Sequence, residues 1–126
     1  MVDPATFFLL EGVPWPDEAT SGAPAALVAE AQRQGARRKF LARGEGGFHS
    51  QYAEFPPGYT VPMHSHDHDE LIVVLAGGCT MLAGGPTLGA SDSMVLPAGH
   101  EYGFTAGSDG MSFMTIRTGR SSTTLA

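Results

Sequence analysis

The chain is poor in cysteine, in basic residues and in long hydrophobic runs, and each shortage excludes something. Cys79 stands alone, so no intramolecular disulfide can form, and a reducing cytoplasm is the expected compartment. Seven Lys and Arg against thirteen Asp and Glu leave a net charge of −6, which argues against nucleic-acid and anionic-membrane partners. Arg37-Arg38-Lys39 is a local exception too short to reverse that reading. The hydrophobic stretch near the start, Phe7-Phe8-Leu9-Leu10, is too brief to span a bilayer. With Asp3 before it and no basic flank, it also makes a poor signal peptide.

Glycine and proline are abundant instead, at 17 and 9 of 126 residues. That is too many for a helical bundle, while the low charged fraction of 16% suits a compact domain rather than a disordered chain. One domain is expected, able to bury about two-thirds of its unfolded surface. Residues 1–35 read as an amino-terminal arm and short helix that pack on a barrel formed by residues 36–126. The arm is broken by Pro14 and Pro16 and by Thr20-Ser21-Gly22. Phe7, Phe8, Leu9 and Trp15 are too apolar to be left in water, so the arm has to dock. Residues 24–34 predict the helix, with Pro24 in its first turn, Leu27, Val28 and Ala31 on its apolar face, and Gly35 as the cap.

From Arg37 onward the apolar pattern becomes that of strands. Nine are predicted, over 38–42, 48–55, 59–62, 70–75, 79–82, 87–88, 93–96, 101–105 and 111–117. Turn signals separate them at Gly44–Gly47, Pro56-Pro57-Gly58, Gly77-Gly78, Gly84-Gly85-Pro86, Pro97-Ala98-Gly99 and Gly107–Gly110; paired glycines between apolar runs are hairpin signals. The fold class is therefore all-β, a sandwich or small barrel. In the strand from Glu70 to Leu75, Ile72 and Val74 are apolar on one face and Leu71, Val73 and Leu75 on the other. A strand apolar on both faces is buried on both. The second face is covered by a sheet edge, by the arm or by a second subunit, and a homodimer is the expectation.

The chemistry concentrates in His64-Ser65-His66-Asp67-His68-Asp69-Glu70. Side chains alternate along an extended segment, so His64, His66, His68 and Glu70 share one parity. Two imidazoles and a carboxylate with open positions form the ligand set of a non-heme iron or related divalent site. His68 falls in the bend between strands, where a solvent or capping role is expected. His49 reads as a half-buried or exposed strand residue, Asp67 and Asp69 as solvated loop residues, and Cys79 as a small buried hydrophobe. Met94 and Met114, with Phe104 and Ile116, share a parity that would line an apolar pocket.

Gly58, five residues, His64-Ser65-His66, three residues, Glu70, six residues and Gly77 resemble the first motif of the cupins at every fixed position. Ser91 to Gly99 resembles the second motif, with Ser91 where a glycine usually stands. The likeness covers roughly residues 37–118 and is to the small single-domain cupins. It implies a double-stranded β-helix, or jelly-roll, barrel in which His64, His66 and Glu70 hold a divalent metal (Fe, Mn, Ni or Zn). The fourth ligand of the pattern would fall at Tyr102, while His100 lies two residues early. Tyr102 either coordinates as a phenolate or, as a neutral phenol, hydrogen-bonds metal-bound water or substrate; a shifted register would make His100 the ligand instead.

An open metal position beside apolar walls suits Lewis-acid chemistry or O₂ activation on a small organic molecule. A dioxygenase-like enzyme is the leading expectation, with Tyr102 as the catalytic side chain that positions substrate or moves a proton. A non-oxidative isomerase, lyase or cyclase would need a further base, for which Tyr102, His100 and Glu101 are the nearby candidates. A binding or sensing module for a sugar-like ligand, without catalysis, is the reading from another class.

Overall fold

The computed structural model describes residues 2–16, 25–120 and 122–126. Within them, a 3₁₀ turn at Leu10–Gly12 and one helix, α1 (Ala25–Arg33), precede eight strands: β1 (Arg37–Arg43), β2 (His49–Phe55), β3 (Thr60–His66), β4 (Glu70–Met81), β5 (Thr87–Gly89), β6 (Ser93–Leu96), β7 (Tyr102–Arg117) and β8 (Thr123–Leu125). A second 3₁₀ turn, Glu45–Gly47, joins β1 to β2. The all-β expectation is met, with a different strand count. The strands expected at 70–75 and 79–82 are one strand, β4, and those at 101–105 and 111–117 are one strand, β7. The expectation for Pro24 and Thr20-Ser21-Gly22 lies outside the described residues, as do the side chains of Leu27 and Val28. Among the described residues no helix is long and apolar enough to cross a membrane.

All pairings are antiparallel, and the two long strands run through both layers of the molecule. The carboxyl half of β7, Met111–Arg117, lies between β2 and the first half of β4, which β6 flanks on its other side. The amino half of β7 lies between β3 and the second half of β4, which β5 flanks. One layer is thus β1-β2-β7-β4-β6, and the other is β8-β3-β7-β4-β5. Phe104 from one and Phe113 from the other meet edge to face, with ring centroids 6.0 Å apart.

The glycines expected to make hairpin turns at 77–78 and 107–110 instead let β4 and β7 bend while staying paired. Gly77 has φ +66° and faces Gly110, and a Cβ on it would stand 2.1 Å from the Gly110 carbonyl oxygen. Only glycine permits that approach. The ladder shifts register at Val74/Ala76 and at Gly77/Cys79, and each bulge changes which parity faces inward. In β4, Ile72 and Val74 are buried before the bend and Cys79 after it. In β7, Phe104 and Ala106 are buried before the bend, and Met111, Phe113 and Thr115 after it. Met114 and Ile116 therefore face outward and do not line the cavity with Phe104, because carrying parity across the glycines fails.

Helix α1 ends at Gly35, whose φ is +92°, and the Ala36 N–H donates to the Ala31 carbonyl at 2.9 Å. This closure turns the chain into β1 and leaves Ala31 buried against the barrel. The arm docks through Trp15, which lies 6.4 Å from the Tyr52 ring and under the Arg37 guanidinium at 4.0 Å, and through the Leu10 carbonyl, which accepts from Lys39 Nζ at 2.8 Å. Phe7 and Leu9, expected to dock as well, are 81% and 77% exposed.

Candidate metal centre

A cavity of about 90 Å³ opens between the layers. Phe55, Phe104, Phe113, Ile72 and Val61 make its apolar wall, and His64, His66, Tyr102 and Arg117 stand at a polar end. Strand β3 reaches this end through an irregularity. Val61 pairs with Phe104 and His64 with Tyr102, so one extra residue is taken up between them. The bulge fits because Gly103 lies opposite, where a Cβ would come 2.6 Å from the Val61 carbonyl oxygen. It turns His64 inward and brings its ring beside Tyr102, with centroids 4.3 Å apart.

His64 Nδ1 lies 2.8 Å from the Pro62 carbonyl, which can only accept, so Nδ1 carries the proton and Nε2 presents a lone pair. That Nε2 faces His66 Nε2 at 3.1 Å. Thr123, opposite His66 in the β3–β8 ladder, places its hydroxyl 3.3 Å from His66 Nδ1 and can either donate or accept. An electron-poor centre has to lie where the two Nε2 atoms converge: the His66 proton or a cation. Burial holds His66 below the ordinary imidazole pKa, aided by the charge of Arg117 and opposed by that of Glu70, so the neutral ligand form prevails at pH 7.

Glu70, 2% exposed, sits behind the pair, with Oε2 3.6 Å from His66 Nε2. Arg117, its partner in the β4–β7 register, donates Nε to the same oxygen at 2.6 Å, and the Tyr102 hydroxyl donates to Oε1. Burial, then the Glu70 charge and hydrogen bond, push the Tyr102 phenol above its usual range, so it is a neutral donor in this arrangement. Among the described residues no three His, Cys, Asp or Glu groups are gathered as a ready cage. The donor chemistry nevertheless fits a divalent cation. Two imidazole nitrogens, His64 Nε2 and His66 Nε2, converge, and a carboxylate has about four lone-pair sites, enough to keep Tyr102 and Arg117 and still coordinate.

The remaining candidates lie elsewhere. His100 is exposed in the turn after Pro97. His68 pairs with Asp67 at 3.0 Å at the surface. Asp67 accepts the Ser122 N–H at 2.8 Å, and that bond, with His68, pulls its pKa down to about 2. Asp69 accepts the Ala98 N–H at 2.9 Å. Both carboxylates tie loops rather than face the cavity. His49 is half-buried with its ring beside Gly44, and burial raises the Cys79 thiol pKa. Arg117 and Thr123 are the participants that sequence reasoning missed. The signal for Arg117 was a lone charge closing the apolar run Met111–Ile116. The signal for Thr123 was the β-branched pair Thr123-Thr124.

A family model for the cupin domain matches residues 51–117. No curated relative matches the chain in sequence. Several solved structures share its fold at low identity. KdgF from a Halomonas species has a TM-score of 0.68 at 20% identity, covering 93% of this chain and 96% of that one. A Methylibium petroleiphilum protein assigned provisionally as an acetylacetone dioxygenase has a TM-score of 0.69 at 18% identity, covering 96% and 81%. The polyketide cyclase RemF from Streptomyces resistomycificus has a TM-score of 0.63 at 19% identity, covering 72% and 70%. The two-layered sheet with its bent long strands is thus a jelly-roll barrel, and the chain belongs to the cupin domain family.

Proposed function

We propose that this cupin is a metal-dependent enzyme acting on a small organic molecule, with dioxygenase-type chemistry as the leading reaction. The observation that carries the reading is the convergence of His64 Nε2 and His66 Nε2 at 3.1 Å, at the end of a cavity with a partly aromatic wall. His64, His66 and Glu70 would hold the metal. Bound there, a divalent ion supplies Lewis-acid activation or, if it is iron, O₂ chemistry.

The chain's own groups prepare the site. The Pro62 carbonyl fixes the His64 tautomer, and Thr123 steadies His66, the outer support that ligating imidazoles require. Tyr102 and Arg117 hold Glu70 in place. The Phe55, Phe104 and Phe113 rings keep water from the far wall and leave a short pocket beside the histidines. In this reading Tyr102 is a hydrogen-bond donor that can turn from Glu70 to substrate. The fold likeness to a protein assigned provisionally as an acetylacetone dioxygenase and to a polyketide cyclase is compatible with either oxidative or non-oxidative chemistry. A homodimer in the cytoplasm is proposed with it, for the exposed apolar face described below.

Elemental analysis of the purified protein and its variants tests the metal. His64→Ala and His66→Ala are expected to lose it, while Tyr102→Phe and His100→Ala keep it. Undiminished metal in both ligand variants would overturn the assignment. O₂ uptake with phenols, diketones and enols then tests the chemistry. Metal-dependent turnover that persists without O₂ would replace the dioxygenase reading with an isomerase, lyase or cyclase.

A further inference from the structure

The inward face of the β1-β2-β7-β4-β6 layer changes character row by row. Register sets Arg117 opposite Glu70, Thr115 between Gln51 and Ile72, and Phe113 between Ala53 and Val74. Successive rows on one face are two residues, roughly 7 Å, apart. A charged row beside His66, a row with two neutral polar groups and an apolar row thus follow one another. The charged row is satisfied, because Arg117 meets Glu70. Arg38, also on the cavity wall, has an interaction of its own. The middle row differs. Gln51 is 8% exposed and Thr115 2% exposed, and both line the cavity. Among the described residues neither side chain has a hydrogen-bond partner in the protein, although the two stand opposite each other in the ladder. Side-chain N and O atoms fully shut inside the wall are all hydrogen-bonded, so the Gln51 amide and the Thr115 hydroxyl open onto the cavity.

An uncommitted amide and hydroxyl at more than nine-tenths burial are unfavourable where apolar side chains would pack, and their neighbours on the same face, Ala53 and Phe113, are apolar and buried. We propose that Gln51 and Thr115 form a recognition subsite for one oxygen of a small uncharged molecule, a ketone or an alcohol, whose apolar part lies against Phe55, Phe104 and Phe113. An amide and a hydroxyl can each donate and accept, so the pair matches a carbonyl or a hydroxyl oxygen and brings no charge to hold an ion. The volume of about 90 Å³ is below the ~150 Å³ that holds benzene in an engineered core, so the molecule has only a few heavy atoms. The proposal rests on reading this cavity as the substrate site, and holding an oxygen at Gln51 and Thr115 does not itself require the metal.

Acetone, 2-propanol, acetate and 2-methylpropene share a branched skeleton of the same size and differ in oxygen and charge. NMR titration of chelator-treated protein at pH 7, following the Gln51 side-chain NH₂ and the backbone amides of residues 51 and 115, tests them. Acetone and 2-propanol are expected to bind with Kd of roughly millimolar, about tenfold tighter than 2-methylpropene and acetate. Gln51→Leu and Thr115→Val are each expected to weaken acetone about threefold to tenfold, in chelator-treated and in zinc-loaded protein, and not to weaken 2-methylpropene. Neither variant gives up a partner in the protein, so both are expected to keep or raise the thermal midpoint. Either variant alone decides the test if the other misfolds. No acetone-dependent shift at Gln51, the result for a pair that holds water alone, overturns the proposal. So does acetone binding no tighter than that of 2-methylpropene, or a fall in stability in both variants with acetone binding unchanged. Acetone binding lost on chelation and indifferent to both variants overturns the subsite and leaves the metal reading standing. Dependence on Gln51 and Thr115 in protein whose His64→Ala and His66→Ala variants show no metal difference supports the subsite and fails the metal.

Discussion

A carboxylate at 2% exposure must find its counter-charge inside the protein, and Glu70 finds Arg117 at 2.6 Å, with the Tyr102 hydroxyl on its other oxygen. Removing one partner of a buried ion pair strands the other, at a cost of about 3–5 kcal/mol, whereas a lost hydrogen bond to a charged group costs about 1.5–3 kcal/mol. In chelator-treated protein, Arg117→Met is therefore expected to destabilise more than Tyr102→Phe. Urea unfolding of both variants checks the order, and equal losses would show that Tyr102 bears as much of Glu70 as Arg117 does. At this scale His64, His66 and Glu70 stood out in the sequence, because two imidazoles and a carboxylate at fixed short spacing on one parity form a recognisable pattern. Arg117 and Thr123 did not stand out, because they reach Glu70 and His66 across strand pairs whose register a linear reading does not contain.

Strands β4 and β7 show the same limit at the scale of an element. Their apolar segments were visible, but glycine pairs between apolar runs are equally compatible with a hairpin turn and with a bulge in a continuous strand. Close approach decided for the bulge at Gly77. A side chain there would collide with the Gly110 carbonyl and also sit at φ +66°. Gly84, at φ +81°, has open space around it. A non-glycine residue in this left-handed region costs about 1–2 kcal/mol by itself. Gly84→Ala is expected to lose about that much, and Gly77→Ala at least about 3 kcal/mol. Thermal or denaturant unfolding separates the two, and a similar loss in both would mean that the layers can part at Gly77 without cost. The parity change at this bend is also why Phe104 and Phe113 share the cavity while Met114 and Ile116 face out.

Over the whole molecule, the outward face of the β6-β4-β7 sheet is the unexplained surface. Leu71 pairs with Val95 on one side and Ile116 on the other, and Leu71, Leu75 and Val95 are 36%, 46% and 69% exposed. The described residues of the arm, which docks at Tyr52, Arg37 and Lys39, do not cover them. A contiguous apolar face of this kind is favourable only against another surface, and an isologous pairing with a second copy is the simplest cover. Light scattering at micromolar concentration is expected to give twice the chain mass, falling to the single mass in Leu71→Glu/Val95→Glu. A wild-type monomer would refute the pairing.

By itself the sequence determined the fold class, the strand content from Arg37 onward and the close, same-parity spacing of His64, His66 and Glu70, because alternation and short-range spacing are local properties. Only the tertiary structure decided which parity faces the cavity on each side of the bends, and that Arg117 and Tyr102 hold Glu70 beside the histidines. Those outcomes depend on cross-strand register and backbone approach, which residues distant along the chain settle together.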